Sequence, residues 1–228
     1  MTLGRRQFLG AMAGTAASLF LPRSAALAQE ADLPAATFWG TATKTLPPAA
    51  EGAARSIAAS GILPLVPRAL AALDRLGANI TARDRIAIVD FSQPSREARF
   101  HIVDLEGGTA SAPLLVAHGK GSDPANRGIA ERFSNQMGSD ASSRGSYVTG
   151  ELYYGRHGHS RRLIGLEPDN DLAMERGIVI HAASYVDPSL VAVQGRIGRS
   201  QGCFAVNPRV IAQVLEQLGP GRLLFAAS

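Results

Sequence analysis

Cys203 is the single cysteine of the 228-residue chain, and it closes the run Gly198-Arg199-Ser200-Gln201-Gly202-Cys203. A thiol becomes a nucleophile when three things surround it: a base that takes its proton, a backbone N–H that faces the developing oxyanion, and a group that holds the base in the right tautomer. Gly202 lets the backbone turn sharply and admits an acyl group close to the sulfur, and amides at and beside Cys203 can face an oxyanion. The candidate base is His181. It ends the apolar run Gly177-Ile178-Val179-Ile180, so a rigid strand would deliver its imidazole to a site at the strand end. No carboxylate lies within a few residues, so a backbone carbonyl, that of Ala182, is the expected orienting group.

The compartment bears on the thiol. Arg5-Arg6-Gln7-Phe8-Leu9 fits the twin-arginine signal pattern; a weakly apolar stretch from Gly10 to Leu21 follows, and Ala26-Leu27-Ala28 offers a small-x-small cleavage site. Residues 1–28 thus read as a signal peptide, too short to remain as a membrane anchor; the alternative is an uncleaved amphipathic start. The expected partner during export is the twin-arginine translocase, and the expected location is the periplasm. A lone thiol there cannot form an internal disulfide, which favours chemistry over stapling. Cleavage removes Arg5, Arg6 and Arg23 and no acid, which brings 23 basic residues close to the 19 acidic ones. With lysine reduced to Lys44 and Lys120 and no basic run interleaved with aromatics, a nucleic-acid partner is disfavoured.

Residues 29–82 read as an irregular arm rich in Pro, Ala and Thr followed by two short helices, Glu51 to Ser60 and Pro67 to Leu76, the second closed by Gly77. Residues 83–228 read as the catalytic domain, mainly β with edge helices. Arg85–Phe91 and Ala98–Leu105 predict a hairpin about the Ser92-Gln93-Pro94-Ser95 turn. Further strands are predicted at Leu114–His118, Ser146–Tyr154, Arg161–Leu166 and Ile178–Ala182. A last helix is predicted with Asn207 as N-cap, Pro208 in its first turn and an apolar stripe of Val210, Ile211, Val214, Leu215 and Leu218. Gly119 to Gly145 has no strong periodicity and reads as an ordered binding loop, with Ile129, Phe133 and Met137 at helical spacing as its anchors. Tyr153 and Tyr154 read as ordinary strand residues, and His157 with His159 as an exposed pair.

His181, eighteen residues, then Ser200-x-Gly202-Cys203 resembles the signature of L,D-transpeptidases of the YkuD type. Asp90-Phe91-Ser92-Gln93-Pro94-Ser95, Ala117-His118-Gly119-Lys120-Gly121-Ser122, Phe133-Ser134-Asn135 and Gly165-Leu166-Glu167 extend the resemblance, which covers roughly residues 85–206, to the murein L,D-transpeptidase catalytic-domain branch. It implies a YkuD-like β-sandwich or barrel. It also implies an enzyme acting on peptidoglycan stem peptides without metal or organic cofactor, and a thiol open to carbapenem acylation. Cys203 would attack a peptide carbonyl, form a thioester and pass the acyl group to an amine, with His181 as base and later acid. Arg199, Ser200, Gln201 and His118 are the expected substrate-binding residues, and Gly202 the oxyanion-forming one.

Two departures stand out. Most of the family has histidine where this chain has Gln201, and arginine or asparagine where it has Ala205; loss of a guanidinium there removes a carboxylate clamp. Serine-x-glycine-cysteine-x-alanine resembles a subgroup that joins L-alanine in the first stem position to diaminopimelate. The alternatives are diaminopimelate-to-diaminopimelate links and an L,D-carboxypeptidase in which water replaces the acceptor amine. Rivals of other classes are a zinc hydrolase drawing on His118, His157, His159, His181 and Cys203, and a non-catalytic wall-binding module.

Overall fold

The computed structural model describes Ile62 and residues 64–228; the signal peptide, the arm and the helix at 51–60, all expected from the sequence, lie outside the described residues. The chain enters through α1 (Val66–Arg75), the second of the two expected short helices. Its strands follow as β1 (Arg85–Asp90), β2 (Phe100–Asp104), β3 (Thr109–Ala110), β4 (Val116–Ala117), β5 (Gly145–Gly155), β6 (Gly158–Gly165) and β7 (Val179–Ala182). Then come α2 (Pro188–Gln194), β8 (Phe204–Val206), α3 (Ile211–Gln217) and β9 (Leu223–Ala227).

All nine strands form one sheet in the order β3-β2-β1-β9-β5-β6-β7-β8-β4. The expected hairpin is β1 against β2, antiparallel from Arg85↔Asp104 to Val89↔Phe100. The sheet curls back on itself. Leu114 bridges to Phe100 of β2, and two residues later Val116 pairs with Val206 of β8, so the two ends of the sheet meet through one short stretch of chain. Of the expected sandwich or barrel, the barrel-like curl is the one formed, and the protein is mainly β.

The period-two alternation of strands assigns each side chain to a face. Ala87, Val89, Ile180, Phe204, Val206, Leu224 and Ala226 turn inward to one core, which Val214, Leu215 and Leu218 of the α3 segment close. Ile86, Ile88, Leu223, Phe225 and Ala227 turn outward beneath α1, against Ala69, Ala72 and Leu73. A third cluster of Ala117, Ala183, Val186, Ile197 and Ala205 lies on the outer face of β4, β7 and β8, with Val191 of α2 against it. Phe204 is fully buried, stacked on Phe91 at 5.8 Å and edge-on to Tyr147 at 5.4 Å. Truncating such a ring costs about 3–5 kcal/mol, so Phe204 pins β8 one residue after Cys203.

Some expectations are corrected. The last helix begins at Ile211, not after Asn207. Asn207 instead accepts from Arg209 N–H at 2.8 Å and donates to Val186 C=O at 2.7 Å, which holds residues 207–210 in a turn. β9 sits in the middle of the sheet, parallel to β1 and antiparallel to β5, although its run Leu223-Leu224-Phe225-Ala226-Ala227 carries no alternation to signal a strand. In the long 119–144 segment no helix forms: Phe133 packs against the inner core, but Ile129 and Met137 are exposed.

Candidate active site

β7 and β8 run parallel, with Ile180 opposite Phe204 and His181 opposite Ala205. Ile180 and Phe204 point into the core, so His181 and Cys203, one position to either side, face outward together. Both line a cavity of about 410 Å³ with Ser200, Gln201 and Arg199 of the cysteine loop. Arg176 and Gly177 before β7, Tyr185 after it, and Tyr153, Arg156 and His157 of the β5–β6 hairpin complete its walls.

His181 is nearly fully buried, and its Nδ1 lies 2.8 Å from the Ala182 carbonyl. That contact requires Nδ1 to carry the proton, which leaves Nε2 as the basic nitrogen. The His157 ring, on the hairpin turn, stacks on His181 at 4.2 Å between centroids and 28° between planes. Burial holds the His181 imidazole below its ordinary pKa; the Ala182 carbonyl opposes this, and the nearby His157 and Arg156 add to it. Burial pushes the half-buried Cys203 thiol up, against the pull of the Val179 N–H, Arg176 and Arg156. Both shifts favour the uncharged forms of thiol and imidazole, and the Cys203 sulfur rests 3.5 Å from Gly177 C=O, in the same cavity as His181.

Three expected site residues make structural contacts. His118 is fully buried, with Nδ1 at 2.7 Å from the Arg99 guanidinium and Nε2 at 3.4 Å from Asp123. It is absent from the cavity wall and cannot touch a substrate there. Burial and the adjacent Arg99 cation lower its pKa to about 4. The Ser200 hydroxyl accepts from Gly202 N–H at 3.1 Å and donates to Cys203 C=O at 2.7 Å, so it braces the loop from within the cavity lining. Gly202 N–H is thereby committed and unavailable to an oxyanion. The glycine itself is required: its φ is +112°, and a Cβ would meet Ala141 C=O at 2.7 Å and Ile178 Cδ1 at 2.8 Å. Arg199 lines the cavity, but its Nη1 donates to Asp123 C=O. Gln201 is exposed at the mouth.

Arg176 carries no local signal of its role. It reaches back to the long loop, donating through Nη1 to Ser134 C=O and Ser143 Oγ at 2.6 Å each, and through Nη2 to Ala141 C=O and to Ser139 Oγ at 3.3 Å. Nothing local in Glu175-Arg176-Gly177 signals this, because its partners lie more than thirty positions upstream. His157 was equally unsignalled: an exposed hairpin histidine reads as solvent-facing until the tertiary fold lays it on His181. His159, its expected companion, instead packs edge-on against Tyr154. Among the described residues no three His, Cys, Asp or Glu side chains converge to hold a metal ion.

Fold and site together define a mainly β domain with a thiol and an oriented imidazole at the ends of two parallel strands. Residues 63–227 match the family model of the L,D-transpeptidase catalytic domain, and the chain belongs to that family. No match is found among curated proteins. Among solved structures it is similar to an L,D-transpeptidase from Mycobacterium smegmatis, at 14% identity over 64% of this chain and 59% of that one, with a TM-score of 0.40. An L,D-transpeptidase in complex with imipenem aligns at 14% identity over 63% of this chain and 59% of that one, TM-score 0.38. One from Xylanimonas cellulosilytica aligns at 12% over 64% and 61%, TM-score 0.39. The alignments thus span about three fifths of those chains.

Proposed function

We propose that the protein is a periplasmic peptidoglycan L,D-transpeptidase, exported by the twin-arginine route, that works through a thioester on Cys203. One observation carries the reading: Cys203 and His181 share a cavity, and the Nδ1 contact to Ala182 C=O leaves Nε2 as the base. Nε2 takes the thiol proton as Sγ bonds to a stem-peptide carbonyl carbon. The peptide C–N bond then breaks, and the departing amine carries that proton away. An acceptor amine attacks the thioester, its proton passes through His181 to the leaving Cys203 sulfur, and the new amide is the cross-link. No nucleotide is consumed, because the energy of the broken peptide bond is conserved in the thioester.

The donor register we favour joins L-alanine of the first stem position to diaminopimelate. Ala205 is fully buried in the outer apolar cluster opposite His181, so this position offers no carboxylate clamp for the more common register. Muropeptide monomers incubated with the purified protein should yield dimers by mass spectrometry, lost in Cys203→Ala, and fragmentation should place the new bond at the first alanine. No dimers with wild type would refute transpeptidation, and shortened monomers alone would assign hydrolysis.

A further inference from the structure

The cavity around Cys203 is lined by three guanidiniums, of Arg156, Arg176 and Arg199, and by no carboxylate. Two of the three have a terminal nitrogen already bonded to the protein. Arg176 donates to four groups of the long loop, and Arg199 donates to Asp123 C=O. Arg156 is different. Among the described residues its one hydrogen bond is Nε to His157 Nε2 at 3.4 Å, and neither Nη1 nor Nη2 is hydrogen-bonded.

Its position is nevertheless defined. Arg156 and His157 are the two turn residues of the β5–β6 hairpin, closed by the pairing of Gly155 with Gly158, and the turn is seated by the His157 stack on His181. The guanidinium stands near enough to the chemistry for its charge to act on Cys203, His181 and His157 alike. A cationic cavity with one free planar fork at its rim is built to take a planar anion bidentately. Of the anions a peptide carries, that is a carboxylate.

We propose that Arg156 is the substrate-carboxylate-binding residue of this site, gripping through Nη1 and Nη2 a carboxylate next to the bond that Cys203 attacks. The assignment rests on Cys203 as the reacting group of the cavity. The hairpin then has two tasks at one turn: His157 supports the base, and Arg156 positions the substrate.

A pair of small probes tests this without any muropeptide. Iodoacetate and iodoacetamide both alkylate a thiol and differ in the carboxylate, so the ratio of their rates on Cys203 of the full-length protein cancels changes in thiol reactivity. Arg156→Ala should lower the iodoacetate-to-iodoacetamide ratio about threefold to tenfold, with Arg156→Lys in between, because a point charge attracts without the fork. Arg199→Ala should change it by less than about 1.5-fold, within what a screened, already committed cation contributes. An unchanged ratio in Arg156→Ala, or an equal fall in Arg199→Ala, overturns the proposal. A ratio that depends on Arg156 in a protein that makes no muropeptide dimers would sustain the carboxylate site and sink the transpeptidase reading, so the two fail separately.

Discussion

Replacing Ser200 by alanine separates a brace from a substrate contact. Its hydroxyl stands between Gly202 N–H at 3.1 Å and Cys203 C=O at 2.7 Å, and its backbone is fixed independently by Ser200 N–H to His118 C=O at 2.9 Å and Lys120 N–H to Ser200 C=O at 2.8 Å. Removing the hydroxyl therefore leaves the strand in place and strips two partners from the turn that carries the sulfur. With Gly202 buried and Ser200 only 4% exposed, water cannot simply replace it. Each stranded group costs about 1–3 kcal/mol, and a shared loss of about 2–4 kcal/mol allows for some relaxation. For a domain of this size that lowers the melting temperature by roughly 5–15 °C. The turn that carries the sulfur also loses its fixed geometry, which should reduce turnover on the order of 100-fold. Differential scanning calorimetry and the rate of Cys203 alkylation by iodoacetamide measure the two effects. If Ser200→Ala melts and alkylates as wild type and only KM rises, Ser200 touches substrate and the bracing argument is wrong.

Two further outcomes follow from the titrating groups. His181 must be neutral to accept a proton, and its pKa is depressed by burial, so the acid limb of kcat/KM should fall below the ordinary imidazole value of about 6.5. The Cys203 pKa is raised by burial, so alkylation in the absence of substrate should have its midpoint above the ordinary thiol value; a reactivity plateau reaching below pH 7 would instead indicate a resting thiolate–imidazolium pair. Stability should respond to acid as well. His118 and His101 are buried, and burial lowers each to about 4 from the ordinary imidazole value of about 6.5. As pH drops below about 6.5 the unfolded chain takes up protons that the folded form refuses until about pH 4. Their contribution is thus complete above pH 6.5 and is lost through that window, by up to about 3 kcal/mol for each. Urea titrations from pH 7 to pH 4.5 measure the slope; His101→Leu should remove about half of it, and a flat profile would contradict the burial argument.

What could be read from the chain alone followed physical range. The β1–β2 hairpin announces itself in β-rich runs on either side of a turn cluster, and β5, β6 and β7 in runs bounded by glycine, proline and acidic residues. β9 is hidden because a strand buried on both faces loses alternation; Leu223 and Leu224 face different cores and both must be apolar. In the cysteine loop, Gly202 and its neighbours belong to one local run and were visible as a unit. Their roles were harder, since whether a serine hydroxyl or a glycine amide is free depends on bonds that only the folded turn shows. His118 misled for the same reason: in sequence it is a polar residue before a glycine, and only the fold places Arg99 and Asp123 on either side of its ring.

The long segment between β4 and β5 explains why so much of the site lay outside local signals. Its composition is polar, yet Ser122, Asp123, Ser142 and Ser143 are all buried, so their hydrogen-bonding capacity must be met within the fold. Ser142 meets it at the cysteine loop. Ser142 Oγ accepts from Gly119 N–H at 3.0 Å and donates to Gly202 C=O at 3.3 Å, while Ser142 N–H donates to Ser122 Oγ at 3.0 Å. Gly119 bridges Ser200, and a side chain there would strike Asp140 C=O and come within 2.8 Å of Gly202 N. Arg176 ties the opposite side of the segment to the cavity wall. Apolar anchors spaced for a helix would give such a loop stability without direction, because hydrophobic contact is indifferent to angle. A hydrogen-bonded serine fixes both distance and angle, as a nucleophile requires if its sulfur is to meet one nitrogen of one histidine. The polar loop is therefore a part of the chain that holds the Cys203 turn in place, and the sixty-residue separation of Ser142 and Gly202 is why sequence proximity alone could not show it.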